Sequence, residues 1–561
     1  MNSAIYNPLE AYEQRLRALH EENANKYFDD LTERSKINIE ENRKTVKEYD
    51  EQTAKSNDLK GKLSSLKAIR VVLIILAIAL PILAIALFSD KIYLCILMIL
   101  AAVGMVLAIF LLINPKIKKL KEQNRIEEEK AAKLYALALS QMQPLNSLFG
   151  SRDAINIIEK TIPKLNFHDC FTAEQAADMM TNYDFGDCDE SEESTLDALA
   201  GEYNGNHFLF EQKLVHKMGV EVYHGYRTIS WTEYYTDSEG RRRSRRRTQT
   251  LHATVTKPKP FYHVENILNY CSQGGDKLCF SRDATHLHEK SEKQIDRYVK
   301  KGEKKLEALD EQAIKTNDDF VSMSNTEFEV LFDALDRTDE VQYRTLFTPL
   351  AQTNMVDLLL SKTGYGDDFN FNKIKRTNKI FSQHSQGRDL VLKKEGYVSH
   401  SYDICRKNFI SHNAEYFRGI YFDFAPLWAI PMYQERPVHS LKPIPPLDQK
   451  YSLREYEVLA NSMDVKRVSH PSTKTRSILK SSYIKGSGDT DVMNINAFSY
   501  DIIGRIEVVY MMGGDGRMHG VTVPWDEYVP LKAQNSFSVS SAEKTGKTKL
   551  SSRHGLYAFE L

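Results

Sequence analysis

The chain has 561 residues, 42% of them hydrophobic and 27% charged, with 75 Lys and Arg against 76 Asp and Glu. That balance excludes a disordered chain, and a net charge of −1 excludes nucleic-acid binding driven by overall charge. Six cysteines with no CxxC pair and no dense spacing exclude a disulfide scaffold and fit a reducing compartment.

From Leu9 to Leu66 the chain is rich in Glu, Lys, Asn and Gln and has no Pro. Apolar residues recur at helical spacing at both ends (Leu9, Tyr12, Leu16, Leu19, then Leu59, Leu63, Leu66), whereas Asn23, Lys26 and Ser35 fall on the seam between them. The pattern predicts one long helical or coiled-coil arm over 1–67. Three uses stay open for it: an intramolecular stalk, a homo-oligomeric coiled coil, or a solvated charged helix.

Val71–Phe88 is an 18-residue run without a charge, and Ile92–Ile113 is a second run of 22. As helices they reach roughly 27 and 33 Å, enough to cross a ~30 Å hydrocarbon core. Only Ser89, Asp90 and Lys91 separate them, so a transmembrane hairpin is expected within 68–115. Pro81 and Gly104 inside the spans are tolerated in bilayer helices, and Gly104 with Ala101, Ala102 and Ala108 forms a small-residue strip where a partner helix can approach. A cleaved signal is disfavoured by the position of the run and the span that follows it. Lys60, Lys62, Lys67 and Arg70 precede the hairpin, and Lys116, Lys118, Lys119, Lys121 and Arg125 follow it, against Lys91 alone at the tip. Basic residues resist translocation, so both termini are expected in the cytoplasm of a multi-pass cell-membrane protein, with the bilayer contacted through 71–113.

After the second span Ile117, Leu120, Leu134, Leu137 and Met142 continue a return helix over 116–143 that can pair with Leu59–Leu66. Residues 144–436 then carry the mixed signals of an α+β domain. An acidic stretch at 184–194 precedes strands expected at Phe208–Val215 and Val220–Tyr235. Thr248–Thr256 alternates back until KPKP ends it, making a long hairpin. Asp283–Asn317 reads as an exposed amphipathic helix, Phe328–Phe332 as a strand, the stretch carrying Leu346, Leu350, Val356 and Leu359 as a helix, and DFNFNKIKRTNKIF as a strand pair. Prolines 437, 443, 445 and 446 suggest a boundary, after which 437–561 is a β-containing unit with a flexible tail. Within it Ile502–Met512 and Gly520–Val523 are expected to form a hairpin around GGDGRMH. The expected fold is thus an α+β membrane protein: an N-terminal helical arm, a two-helix membrane hairpin, and a large cytoplasmic region of antiparallel hairpins with packed helices.

The order of arm, membrane hairpin and soluble region, together with the SNTEFE stretch from Ser324 and the RTLFTP stretch ending at Pro349, resembles bacterial membrane proteins whose soluble domain has no assigned activity. The matching stretch reads as a packing motif, so the resemblance implies no catalytic residue; separately, no cofactor is expected.

Searches for chemistry return weak candidates. SAEKTGKT at 541–548 has Ser541 where a phosphate loop needs its first glycine, and GGDGRMHG at 513–520 has His519 where a dinucleotide loop needs its third. The acidic 184–194 stretch lacks the glycine of a calcium loop. Neither HExxH nor GxSxG occurs. Cys271, Cys279, His286 and His288 carry zinc-type donors at a spacing foreign to zinc sites, so no metal is assigned. His519 with Asp515 and Asp526 forms an isolated polar group without a nucleophile.

The distinctive feature is Arg241, Arg242, Arg243, Arg245, Arg246 and Arg247 at the hairpin tip. Such a tip can be merely solvated, can meet an acidic protein face including 184–193, or can meet anionic lipid, with nucleic acid least favoured. The expected function is a membrane-anchored scaffold or interaction protein with protein partners or self-association through its helical arms. The alternatives are an enzyme with an unfamiliar site, or a tether to nucleic acid or lipid through the arginines.

Overall fold

The computed structural model describes residues 5–87, 92–186, 192–317, 319–437, 442–487, 490–542, 548–553 and 555–560. The expected tip at 89–91, the middle of the acidic stretch (187–191, with Cys188) and 543–547 of the SAEKTGKT segment lie outside them. The chain divides into two compact units, one of Met1–His20, Ile158–Val391 and Tyr416–Leu561, the other of Glu21–Ile157 and Leu392–Glu415.

The smaller unit is helical. Its sequence was expected to give one uninterrupted arm, but the helix Arg17–Ser35 stops at Lys36, which turns left-handed at φ 54, and a new helix Ile39–Leu87 begins. The start signal is Asn38, whose Oδ1 accepts the Glu41 N–H at 3.1 Å, with Glu40 and Glu41 in the first turn. An asparagine cap followed by acidic residues favours a fresh helix over continuation. Residues 5–20 belong instead to the larger unit, where Ile5 and Gln434 exchange backbone–amide hydrogen bonds and Tyr12 packs among Phe417, Tyr421 and Phe422.

Ile39–Leu87 runs unbroken through Pro81, and the second apolar segment runs from Ile92–Ala108 through a π-turn at Ile109–Ile113 into Asn114–Asn146. These are two helices long and apolar enough to cross a membrane. Their polar portions, beyond the apolar runs, pair antiparallel within the chain. On the return helix Ile117, Asn124, Ala131, Ala138 and Leu145 are buried, a seven-residue repeat, and Asn42, Ser56 and Leu63 face them at the same period. Ser56 donates to Asn124 at 2.9 Å, Lys60 pairs with Glu128 at 2.9 Å, and Gln141 donates to Thr45 at 3.1 Å. The expected apolar residue Leu137 is exposed, because the seam uses small and polar side chains that let the helices approach. At Gly104 a Cβ would meet nothing within 4 Å, so the small-residue strip makes no close approach there among the described residues. The unit's core lies around Phe28, Met142, Phe149, Tyr397 and Phe409.

The larger unit is built on two antiparallel sheets. The first has seven described strands, β1 (Leu165–Phe167), β2 (Glu193–Tyr203), β3 (Asn206–Thr236), β4 (Arg242–Cys271), β5 (Cys279–Arg282), β6 (Phe369–Ile374) and β7 (Thr377–Ser382), in the order β1-β2-β3-β4-β7-β6-β5. The second comprises β8 (Ile478–Ser487), β9 (Thr490–Met512), β10 (Met518–Ser540), β11 (Lys549–Arg553) and β12 (Leu556–Glu560), ordered β11-β12-β10-β9-β8. The region expected to be a flexible tail therefore closes the second sheet as β11 and β12. Nor does KPKP end the return strand, since β4 continues through Pro258 and Pro260 to Cys271. Beyond β3, β4 pairs only with β7, and only from Leu268 to Cys271, so that edge asks no N–H of the prolines.

Two further expectations are corrected. Phe328–Phe332 lies in a helix, Thr326–Phe332, capped by Asn325, whose Oδ1 accepts the Phe328 N–H at 3.2 Å. The following stretch makes two helices, Glu340–Leu346 and Pro349–Leu360, with Thr348 as cap and Pro349 in the first turn of the second. SNTEFE and RTLFTP are thus capping signals. The proline-rich 437–446 region does not separate the compact units, since both of its sides lie in the larger one. The helix Leu453–Asn461 that follows packs against β2 and β8.

Candidate functional site

Two long hairpins leave the sheets and stack on each other. β3 and β4 pair without interruption from Phe208–Tyr270 to Thr236–Arg242, a ribbon of about 100 Å by strand rise. β9 and β10 pair from Thr490–Ser540 to Met512–Met518. Alternation sends one row of each ribbon inward, and Ile229, Leu251, Ala253, Val255, Val521 and Val523 form a buried core between them. Gly225 permits the closest approach, because a Cβ there would run into the carbonyl oxygen of Thr522. Arg227 donates to the Gly520 carbonyl at 2.7 Å, and Lys257 pairs with Glu507 at 2.6 Å. The opposite face of β9 leaves Ile506, Val508, Tyr510 and Met512 exposed in one row, and β3 exposes Val220, Val222 and Tyr226.

The GGDGRMH turn ends the second ribbon against Trp231 and Gln249, where the Gly514 N–H donates to Gln249 at 2.7 Å. The first ribbon continues past this point and carries the arginines. Arg241 lies in the turn and Arg242 to Arg247 begin β4. Arg243 pairs with Asp237 at 2.7 Å, Arg245 and Arg247 both reach Glu233, at 2.5 and 2.9 Å, and Arg241 reaches Glu239 at 3.0 Å. Arg242 lies over the Tyr234 ring, and Arg246 donates to Ser230 at 3.2 Å. These contacts are exposed, and each contributes little to stability. They do shrink the free positive charge of the tip, as three carboxylates are spent on four of the six guanidinium groups.

The other candidates do not converge. Cys271 is fully buried at the end of β4, and burial pushes its thiol well above the usual range, while Cys279 stands on the edge strand β5, three strands away in the sheet order. His288 Nδ1 accepts the Asp367 N–H at 3.0 Å, and His286 meets Gln383 at 3.1 Å. Among the described residues no group of three or more His, Cys, Asp or Glu is placed to hold a metal ion. His519 contacts both Asp515 oxygens at 3.0 Å, and that hydrogen bond holds the Asp515 carboxyl below its ordinary value. Asp526 sits seven residues further along β10, roughly 23 Å away, so it does not join them. In the acidic stretch, Asp184 faces Lys375 and Arg376 at 3.8 and 3.7 Å, and Glu193 is drawn to Lys213 at 2.8 Å.

That last pair belongs to a cluster which nothing in the linear sequence announces. Glu211 and Lys213 on β3, Lys379 on β7, Arg454 on the helix Leu453–Asn461 and Lys480 on β8 line a cavity of about 120 Å³. Glu211, with its side chain 1% exposed, accepts from Arg454 at 2.6 Å and from Asn269 at 2.7 Å. Glu457 accepts the Thr195 N–H at 2.9 Å and faces Lys480 at 3.3 Å. Burial pushes Glu211 up, but Lys213 and Arg454 outweigh it and leave the carboxyl below its ordinary value; for Glu457 burial prevails and the value is raised. Lys379 is depressed, first by burial and then by repulsion from Lys213.

No family model matches this chain, and no curated protein or solved structure matches it either.

Proposed function

We propose that this chain is a membrane-anchored interaction or scaffold protein. In this reading residues 71–113 hold it in the cell membrane with both termini in the cytoplasm, and the stacked ribbons are its recognition element. One observation carries the proposal. None of the most apolar window of Ile39–Leu83 is buried against protein, so the helix pair exposes a surface that only lipid covers without cost. The nine-to-one excess of basic residues flanking the spans supports the orientation. The ribbons add rows of exposed Ile, Val, Tyr and Met on a rigid support, a surface suited to a protein partner. The carboxylates among the tip arginines favour protein over phosphate-rich partners.

The test is fractionation of cells expressing the full chain with a photo-crosslinking residue at Val508, and at buried Val521 as control. Retention in the pellet after alkaline carbonate, with discrete adducts from Val508 alone, is expected. Release into the supernatant, or adducts from neither position, overturns the reading.

A further inference from the structure

The charges around the cavity between the first sheet and the helix Leu453–Asn461 do not balance. Four cations line it, Lys213, Lys379, Arg454 and Lys480, and three carboxylates serve them. Glu193 is held by Lys213, Glu211 by Arg454, and Glu457 by Lys480. Lys379 is the cation left over, since no hydrogen bond or ion pair reaches its ammonium among the described residues, although β7 places it on the wall of the same cavity. These are not loose surface lysines: the side chains of Lys213, Lys480 and Arg454 are 16%, 14% and 6% exposed. Lys379 is half-buried, and although Glu211 and Glu193 act on it from a distance it closes no ion pair of its own, so the arrangement favours whatever supplies one negative charge beside it. The space accommodates a group of several atoms, since a single water needs only ~10–15 Å³ by the same measure. Guanidinium and ammonium donors from four elements converge on it, the donor set that oxyanions select.

We propose that this cavity binds a small oxyanion, a phosphate or carboxylate group of a free small molecule, with Lys379 as its principal counter-charge. The three ion pairs already formed hold the surrounding donors in place, so the anion meets a preorganised wall and one unneutralised ammonium. A single charged group fits this balance, whereas a polyanion would have to displace Glu193 or Glu457 from its partner.

The test is calorimetric titration of the detergent-solubilised full chain with inorganic phosphate, sulfate and acetate in separate arms, each against chloride at equal ionic strength. Saturable binding of at least one anion is expected, with affinity falling about tenfold or more in Lys379→Met. Lys379→Arg, which keeps the charge, should retain most of it. Preference among the arms identifies the oxyanion class, phosphate and sulfate marking a tetrahedral group and acetate a carboxylate. Absence of saturable heat in all three arms overturns the proposal, as does binding that Lys379→Met leaves unchanged. A rise in melting temperature of Lys379→Met without any anion binding by the parent chain would show a charge seam with no ligand, and overturns it equally.

Discussion

Lys373 shows how much a single placement decides. It alternates along β6 in a stretch that reads as an ordinary amphipathic strand, yet its ammonium is nearly enclosed and donates to the carbonyls of Gly274 at 2.9 Å and Lys375 at 2.5 Å, over the Tyr433 ring. Burial lowers its pKa to about 7, with Cys279 and Asp276 opposing weakly. In the unfolded chain the amine stays protonated to near pH 10.5, so between about 7 and 10.5 the unfolded state binds more protons than the folded one. Stability should therefore rise with pH across that window and be lost as pH falls back through 7. Urea midpoints from pH 6 to 10 should show this slope, and Lys373→Met should flatten it. An equal slope in the variant would assign the effect to another group. Nothing in FNFNKI marks Lys373 as the enclosed cation and Lys375 as an exposed one, because which face of a strand is covered is set by what packs on it.

At the scale of elements, local signals were sound where they concerned caps and weak where they concerned length. Asn38, Asn325 and Thr348 each start a helix at the place their side chains can satisfy a free N–H, a signal that apolar periodicity does not carry. The break at Lys36 yields a prediction: it sits at φ 54, where an L side chain is strained and glycine is not. Lys36→Gly should stabilise the chain by about 0.5–1 kcal/mol, read as a higher thermal midpoint. A lower midpoint would mean that the lysine side chain contributes more than its backbone costs. The stacked ribbons give the opposite case. Gly225→Ala adds a methyl group where Thr522 backbone already stands, so it should separate the ribbons at a cost of about 1–3 kcal/mol. Trp231 and Trp525 pack at that interface, so their fluorescence should shift toward that of solvent-exposed indole while the midpoint falls. Unchanged emission would show that the ribbons do not stack in solution.

For the whole molecule, the two long apolar helices are the part whose consequences reach furthest. If basic flanks set the orientation, a C-terminal epitope tag should be accessible to protease only after the cell membrane is permeabilised, and digestion of intact cells should leave it untouched. Cleavage from outside would reverse the orientation and remove the cytoplasmic setting of the proposed recognition element. The return helix makes a second point at this scale. Its heptad of Ile117, Asn124, Ala131, Ala138 and Leu145 packs on the helix Ile39–Leu87 of the same chain, so that seam is occupied by an intrachain pair.

Certain features needed no folding to be legible. Two charge-free runs of helical length, the alternation of the long ribbons and the GGDG turn are written in adjacent residues, because hydrophobic length and period act locally along the chain. The lengths of those ribbons, their stacking through Val521 and Val523, and the carboxylates that meet the arginines depend on residues far apart in sequence. The same is true of the charged cavity, whose lysines, arginine and glutamates come from β2, β3, β7, β8 and one helix. Burial and net charge at a point in space are sums over everything that packs there, and only the tertiary structure performs that sum.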